Sequence, residues 1–305
     1  MLNRAQRHER PVRSNHVAGF VAVLSALVAV SVASAQSPPV EPGTLPASWI
    51  TGGPNCLEVP DWQVHEYNPT FYILRESGCI NYEKPFLYLI FGRDRALLID
   101  TGAGPVDTAA FVTKLIAKWC KVNKRDAMPL MVVHTHAHGD HVAGDKGFEG
   151  MPNVTLIPAA PREDGVIDLG DRIVDVLAIP GHQAAHVAYY DRKTGILHTG
   201  DHLYPGRLYI QDFPKYLEST RKLVRFTEGK PIAHIVGCHI EQSSTPFVDY
   251  PIGTTYQPQE HSLAMGRGQL LELLAGLESM RDKPVALALR DFTITPREPQ
   301  QQKKK

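Results

Sequence analysis

The sequence is poor in the features that mark several common protein classes. Only four cysteines occur in 305 residues (Cys56, Cys79, Cys120 and Cys238), and no two stand in C-x-x-C spacing, so a thiolate zinc site is not expected. Excess charge of either sign is missing: 32 basic residues balance 32 acidic ones, no basic stripe appears, and the Lys303 to Lys305 tail is a short run of the kind that solvates a chain end. A nucleic-acid partner is therefore not expected. No repeat of solenoid period is present, and low complexity is confined to the first sixty residues. Long apolar runs are missing too, with one exception at the N-terminus.

That exception has a characteristic layout. Arg4, Arg7, Arg10 and Arg13 stand against a single acid, Glu9; Val17 to Val32 is almost wholly apolar or small; Ala33-Ser34-Ala35 follows. A basic start, an apolar middle and a small-x-small end make a secretory signal peptide, cleaved after Ala35. The run is short for a span and interrupted by Gly19 and Ser25, so no stable membrane insertion is expected after cleavage. The chain is expected to be periplasmic or secreted, and without residues 1–35 its charge balance turns slightly acidic. Export permits disulfides. Cys56 and Cys79 can pair, although connectivity is not written in sequence; Cys120, on an apolar helical face, reads as core.

Residues 36–67 read as a Pro/Gly-rich arm (Ser37-Pro38-Pro39, Pro42-Gly43, Gly52-Gly53-Pro54), residues 68–292 as the folded domain and 293–305 as a polar tail. Within the domain, apolar runs predict strands over Pro85–Gly92, Ala96–Asp100, Leu130–Val133, Val154–Ile157, Arg172–Ile179, Val187–Asp191, Ile196–Thr199, Ala233–Gly237 and Val285–Leu289. Helical spacing predicts helices over Val106–Lys121, after Pro214, and over Glu260–Met280. Strands mixed with helices throughout imply a layered α/β or α+β domain.

Chemistry concentrates in His134-Thr135-His136-Ala137-His138-Gly139-Asp140-His141, directly after a strand. Three imidazoles and a carboxylate between His136 and His141 are costly to hold together unless a cation binds them, and imidazole suits zinc, iron and similar ions. In a tight loop His136 and His138 can converge on one ion while Asp140 and His141 point toward another. Asp100 can be a turn residue. His134, at the strand end just outside the array, reads as a partner behind the ligands or as structural; His186, His198, His202 and His234 read as packed or solvated residues.

The array His136-x-His138-x-Asp140-His141 resembles the signature of the metallo-β-lactamase superfamily. Other segments agree in order: Asp100-Thr101-Gly102 resembles its DTG, Pro180-Gly181-His182 its PGH, Thr199-Gly200-Asp201 its TGD, and Gly237-Cys238-His239 its last ligand loop. The resemblance covers about residues 68–292 and implies a single-domain, four-layer αββα sandwich. It further implies one ion on His136, His138 and His182, another on Asp140, His141 and His239, and Asp201 bridging them. Asp100 would then hold a ligand histidine from behind. Zinc is the implied metal, two ions per chain, with iron or mixed occupancy open because the ligand types permit each. A water shared by two such ions would supply a hydroxide nucleophile, oriented by Asp140.

Tyr204, three residues after Asp201, resembles the phenol that polarises the carbonyl in the family's lactonases, with a packed surface tyrosine as the plain alternative; Tyr209 is a weaker candidate. The expected function is hydrolysis of an ester, lactone, thioester or amide in a small-molecule substrate. The alternatives are β-lactam hydrolysis, an iron-dependent redox role such as sulfur dioxygenation, and a silent metal-binding protein. Asp201 argues against the β-lactamases, which place Cys or Ser near that point. Only one good helix follows His239, so a full glutathione-binding domain like that of glyoxalase II is not expected. The segments Asn68–Glu83 and Glu241–Tyr256 are expected to wall the pocket.

Overall fold

The computed structural model describes residues 39–51, 56, 59–280 and 283–297; the signal-peptide assignment lies outside them. Strand alternation on two buried faces generates the layering. In β3 (Phe86–Phe91), Phe86, Tyr88 and Ile90 join one core cluster while Leu87, Leu89 and Phe91 join another, and all six are buried. In β9 (Val187–Asp191), Val187 and Tyr189 enter the same first cluster, while Ala188 and Tyr190 point to a third. Strands buried on both faces must be covered on both, which requires stacked sheets with helices outside.

The first sheet has six strands in the order β1 (Trp62–Asn68), β2 (Phe71–Glu76), β3, β4 (Ala96–Ile99), β5 (Leu130–Val133) and β6 (Val154–Leu156). The second has five, ordered β12 (His234–Gly237), β10 (Ile196–Gly200), β9, β8 (Ile173–Ala178) and β7 (Gly165–Asp168). A third, small sheet is ordered β11 (Arg207–Ile210), β14 (Thr293–Pro296) and β13 (Leu287–Ala288). Val112, Ile116 and Trp119 of α1 (Thr108–Val122) pack on the outer face of the first sheet, and Phe148 of α3 (Asp145–Phe148) joins them. Tyr216 and Leu223 of α4 (Phe213–Thr227) and Leu270, Leu273 and Leu277 of α5 (Arg267–Met280) cover the second. The result is the αββα order that the resemblance implied. Asp107 and Asp212 cap α1 and α4 by accepting from the amides of Ala110 and Lys215.

Four assignments change. Residues 62–67, given to the arm, form β1 together with Asn68, because Trp62 and Tyr67 have core to enter. Thr293–Pro296, given to the tail, forms β14 parallel to β11. The last helix begins at Arg267 rather than Glu260, because the preceding stretch is committed to bridges, Glu260 to Ser243 and Met265 to Ile235. The predicted strand at 285–289 shortens to Leu287–Ala288.

The arm that remains runs against the first sheet: Thr44 N–H donates to Tyr67, and Ile50 exchanges two hydrogen bonds with the Gln63 amide. Cys56 and Cys79 are disulfide-bonded and Cys120 is a buried free thiol. Among the described residues no helix is long and apolar enough to cross a membrane.

Candidate metal centre

Every ligand-type residue of the sequence array sits at a strand end or in the loop just beyond one. β5 ends at Val133 and delivers His136 and His138; the four-residue α2 (Gly139–Val142) carries Asp140 and His141; His182 follows β8, Asp201 follows β10, and His239 follows β12. Two glycines make the approach possible. Gly181 has φ +143°, and a Cβ there would lie 2.4 Å from the Tyr216 backbone, so only glycine lets the His182 loop meet α4. Gly200 has φ +52°, and a Cβ there would lie 2.6 Å from His186 Nε2 and 2.8 Å from Thr135 Cβ.

The side chains form two groups that share one carboxylate. His136, His138, His182 and Asp201 make the first, and Asp140, His141, His239 and Asp201 the second. In the first, His138 Nδ1 lies 2.9 Å from His136 Nε2 and 3.1 Å from His182 Nε2. Asp201 Oδ2 lies 3.6 Å from His136 Nε2 and 3.4 Å from His182 Nε2. In the second, Asp140 Oδ2 is 3.1 Å from both His141 Nε2 and His239 Nε2. Asp201 Oδ1 is 3.5 Å and 3.3 Å from the same two nitrogens. Four ligands around an ion at zinc–nitrogen distance stand about 3.3 Å from one another, so both groups match that spacing. His141 Nε2 and Asp201 Oδ1 are buried with no hydrogen-bond partner, a costly state that a cation would relieve. The residues present therefore fit two metal ions.

Groups behind the ligands fix which nitrogen faces inward. His182 Nδ1 donates to the Tyr209 carbonyl at 2.8 Å and His239 Nδ1 to the Glu83 carbonyl at 2.9 Å. His141 Nδ1 donates to Asp100 Oδ2 at 2.9 Å. Asp100, fully buried with φ +68°, also accepts from the Thr135 amide (2.7 Å), the Thr135 hydroxyl (2.8 Å) and the Cys238 thiol (3.3 Å). It is the orienting partner that the resemblance implied, not a turn residue alone.

The electrostatics divide the two groups. Burial, reinforced by neighbouring imidazoles, depresses His136, His138 and His182, keeping their lone pairs free for a metal. Burial pushes Asp140 and Asp201 up, but the surrounding imidazoles outweigh it and hold both well below the usual carboxylate range. Burial lowers His141 and His239, yet the Asp140 and Asp201 carboxylates prevail and raise both well above the ordinary histidine value. The second group thus carries protons that a cation must displace. Metal binding there is expected to release protons and to weaken as pH falls, more steeply than at the first group. Calorimetric titration of zinc in buffers of different ionisation enthalpy measures that release; an identical proton count at both sites would contradict it.

Tyr204 is buried, its ring 5.6 Å from that of His239, and its hydroxyl donates to the Arg207 carbonyl; burial raises its pKa well above the ordinary phenol value. Its phenol is committed to the backbone, which gives Tyr204 a packing role in place of the carbonyl-polarising role the resemblance suggested. Tyr209 contributes its backbone carbonyl to His182. His134, His186, His198 and His202 are buried, and His234 is half-buried against Tyr67. Of the 68–83 wall, Phe71–Glu76 is a core strand and Glu83 meets the centre through its carbonyl on His239. A notch lined by Tyr82, Glu83, Arg207, Ile240, Glu241 and Ile252 adjoins His239.

Glu76 left no mark in the sequence. It is fully buried at the end of β2, and its Oε2 accepts from the Ala103 amide at 2.8 Å. Burial raises its pKa from 4.5 to about 7 against the pull of that amide, with the charges of Asp140 and Asp61 adding to the rise. A carboxyl raised on folding favours the folded state as the acid, and that advantage is lost as pH rises toward 7. Glu76→Gln keeps an acceptor and removes the charge. It is expected to melt higher than wild type at pH 8, by on the order of 1–3 kcal/mol, with the margin shrinking several-fold at pH 5. Thermal melts at both values check this; a margin independent of pH would contradict it.

Comparison with known proteins agrees with the geometry. Residues 149–239 match the family described as the Metallo-beta-lactamase superfamily, a span that takes in His182, Asp201 and His239 and begins just after the His136–His141 loop. A hydroxyacylglutathione hydrolase of a Chelativorans species is 29% identical over 132 residues, covering 38% of this chain and 50% of that protein. One from Gloeothece citriformis is 33% identical over 103 residues, covering 28% and 40%. The chain thus spans half or less of these relatives' own length. Among solved structures, a metallo-β-lactamase from Hirschia baltica superposes with TM-score 0.50 at 13% identity, over 74% of this chain and 100% of the other. The metallo-β-lactamase FIM-1 from Pseudomonas aeruginosa gives 0.50 at 15%, over 74% and 98%. With its αββα layers and its paired histidine–aspartate groups, the chain has the metallo-β-lactamase fold, and residues 149–239 match that superfamily.

Proposed function

We propose that the protein is an exported, dinuclear zinc hydrolase that cleaves an acyl bond, a thioester, ester or lactone, in a small molecule. The observation that carries this reading is Asp201, whose two carboxylate oxygens each face a different group of imidazoles. A carboxylate so shared suits two cations, whose mutual repulsion it offsets. When bound, two such cations would supply Lewis acidity that lowers the pKa of water toward neutrality and so makes a nucleophile available at ordinary pH. The protein's own part is to place and move the proton. Asp140, held ionised between His141 and His239 with its side chain 19% exposed, can accept the proton given up during attack and return it to the leaving group. The Tyr209 and Glu83 carbonyls and Asp100 keep the imidazoles in the tautomer that leaves the inner nitrogen free. The matched relatives, described as hydroxyacylglutathione hydrolases, favour a thioester, and the Cys56–Cys79 disulfide favours an oxidising compartment.

The test is a hydrolysis panel on the chain from Gln36 onward: S-lactoylglutathione, homoserine lactones, aryl esters, a chromogenic cephalosporin and a bis-aryl phosphodiester. Each is run with zinc, after chelation, and beside His138→Ala. Chelator-sensitive turnover of one acyl class, lost in the variant, is the expected result. Turnover of the cephalosporin alone would transfer the assignment to lactam hydrolysis, and bound iron with oxygen consumption would transfer it to redox chemistry.

A further inference from the structure

His134 and Asp145 bracket the segment that supplies His136, His138, Asp140 and His141, and neither is among the ligands. His134 Nε2 lies 2.8 Å from Asp145 Oδ1, and its Nδ1 lies 3.0 Å from the Ile157 carbonyl. Both ring nitrogens thus have acceptors, and the ring is buried, with its side chain 0% exposed against 25% for that of Asp145. The same Asp145 oxygen accepts from the Thr101 hydroxyl at 2.8 Å, one residue from Asp100. Gly144 makes that meeting possible, since a Cβ there would stand 2.4 Å from the Thr101 carbonyl. The His134 carbonyl accepts from the Tyr189 hydroxyl of β9 at 2.8 Å, which ties this point to the second sheet. Where the ligand loop leaves β5 and where it enters α3, its two ends are therefore joined to each other and to the Asp100 turn.

We infer that the His134–Asp145 pair, with Thr101, is a staple that holds the metal-binding loop in its liganding shape before an ion arrives. The inference rests on the dinuclear reading of the centre. Four ligands on one short loop must otherwise be ordered when metal binds, and that ordering subtracts from affinity. A loop whose ends are already joined loses less conformational freedom. The gain is expected chiefly as slower metal release, since affinity differences within one site fall mostly on dissociation. His134 and Asp145 are positioning residues: they touch neither the ions nor a substrate.

The test follows zinc release from the intact loaded protein to a chromogenic chelator, in wild type, His134→Phe, Asp145→Ala and the double variant. Each single change is expected to speed release about tenfold, the size of effect seen when groups supporting metal ligands are removed. The double change is expected to add little, because either one opens the staple. His134→Gln, which keeps a donor toward Asp145, is expected to stay near the wild-type rate and guards against a general folding defect. Melting of the chelated proteins is read alongside. Wild-type release rates in folded single variants would overturn the staple while leaving the centre standing, as would effects that multiply in the double variant. A wild-type protein that holds no zinc would overturn both.

Discussion

Asp201→Asn is expected to cut hydrolysis roughly a thousandfold, the loss of several kcal/mol of metal-derived stabilisation, and to lower zinc from two ions per chain to one or fewer. The side chain keeps its shape, so the change isolates charge and donor chemistry. Oδ2 stands 3.4 Å and 3.6 Å from the inner nitrogens of His182 and His136, and Oδ1 stands 3.3 Å and 3.5 Å from those of His239 and His141. Whichever way an amide is turned, its NH2 faces one of the two groups and offers donors where a cation needs an acceptor. The lost negative charge also leaves two cations to repel each other across a carboxamide. Metal analysis and turnover on the same preparation, with the chelated variant melting near chelated wild type, check the result. Full zinc occupancy with wild-type rates would mean that Asp201 does not bridge.

Asp100→Ala is expected to be the most destabilising substitution near the centre, by about 3–5 kcal/mol. Asp100 is fully buried and accepts from four donors: the Thr135 amide, the Thr135 hydroxyl, His141 Nδ1 and the Cys238 thiol. Alanine leaves them without an acceptor in a site that water does not reach, and it must also adopt φ +68°, which costs further. Zinc affinity is expected to fall 10–100-fold, since the His141 ring loses the partner that fixes its orientation. Asp100→Asn separates the contributions. Asparagine tolerates the left-handed backbone, so a variant that melts close to wild type yet binds zinc weakly would assign the metal effect to the carboxylate. Denaturant unfolding and zinc competition measure both; an Asp100→Ala protein as stable as wild type would contradict the argument.

The sequence revealed what depends on local pattern. Phe86 to Phe91 and Leu130 to Val133 are continuous apolar runs, and strands buried on both faces have to be such runs. The candidate cluster was legible because six residues from His136 to His141 concentrate imidazoles that no ordinary loop needs, and because His182, Asp201 and His239 stand in short motifs at strand ends. What was hidden depends on contacts between distant segments. Arg207–Ile210 and Thr293–Pro296 are too short and too mixed to declare themselves; the first becomes a strand against the second, which also pairs with Leu287–Ala288. Glu260 to Met265 carries helical spacing, but Glu260 is drawn to Arg75 by two hydrogen bonds of 2.6 Å and 2.5 Å, and Met265 pairs with Ile235. The anchors of His182 and His239 are backbone carbonyls, which every residue possesses and no motif reports. Glu76 stands out only because β1 and β2 bury it beneath the Gly102–Ala103 turn. Tyr204 shows the reverse case: its spacing from Asp201 allowed chemistry or packing, and its hydroxyl bonds the Arg207 carbonyl three residues away.

Return of zinc to the chelated protein tests the metal centre most directly. Hydrolysis of the best substrate on the panel is measured as zinc is added back, one fraction of an equivalent at a time. The dinuclear centre predicts no turnover in the metal-free protein and a rate that climbs until two equivalents per chain are bound. Undiminished hydrolysis by a protein shown to be metal-free would contradict it.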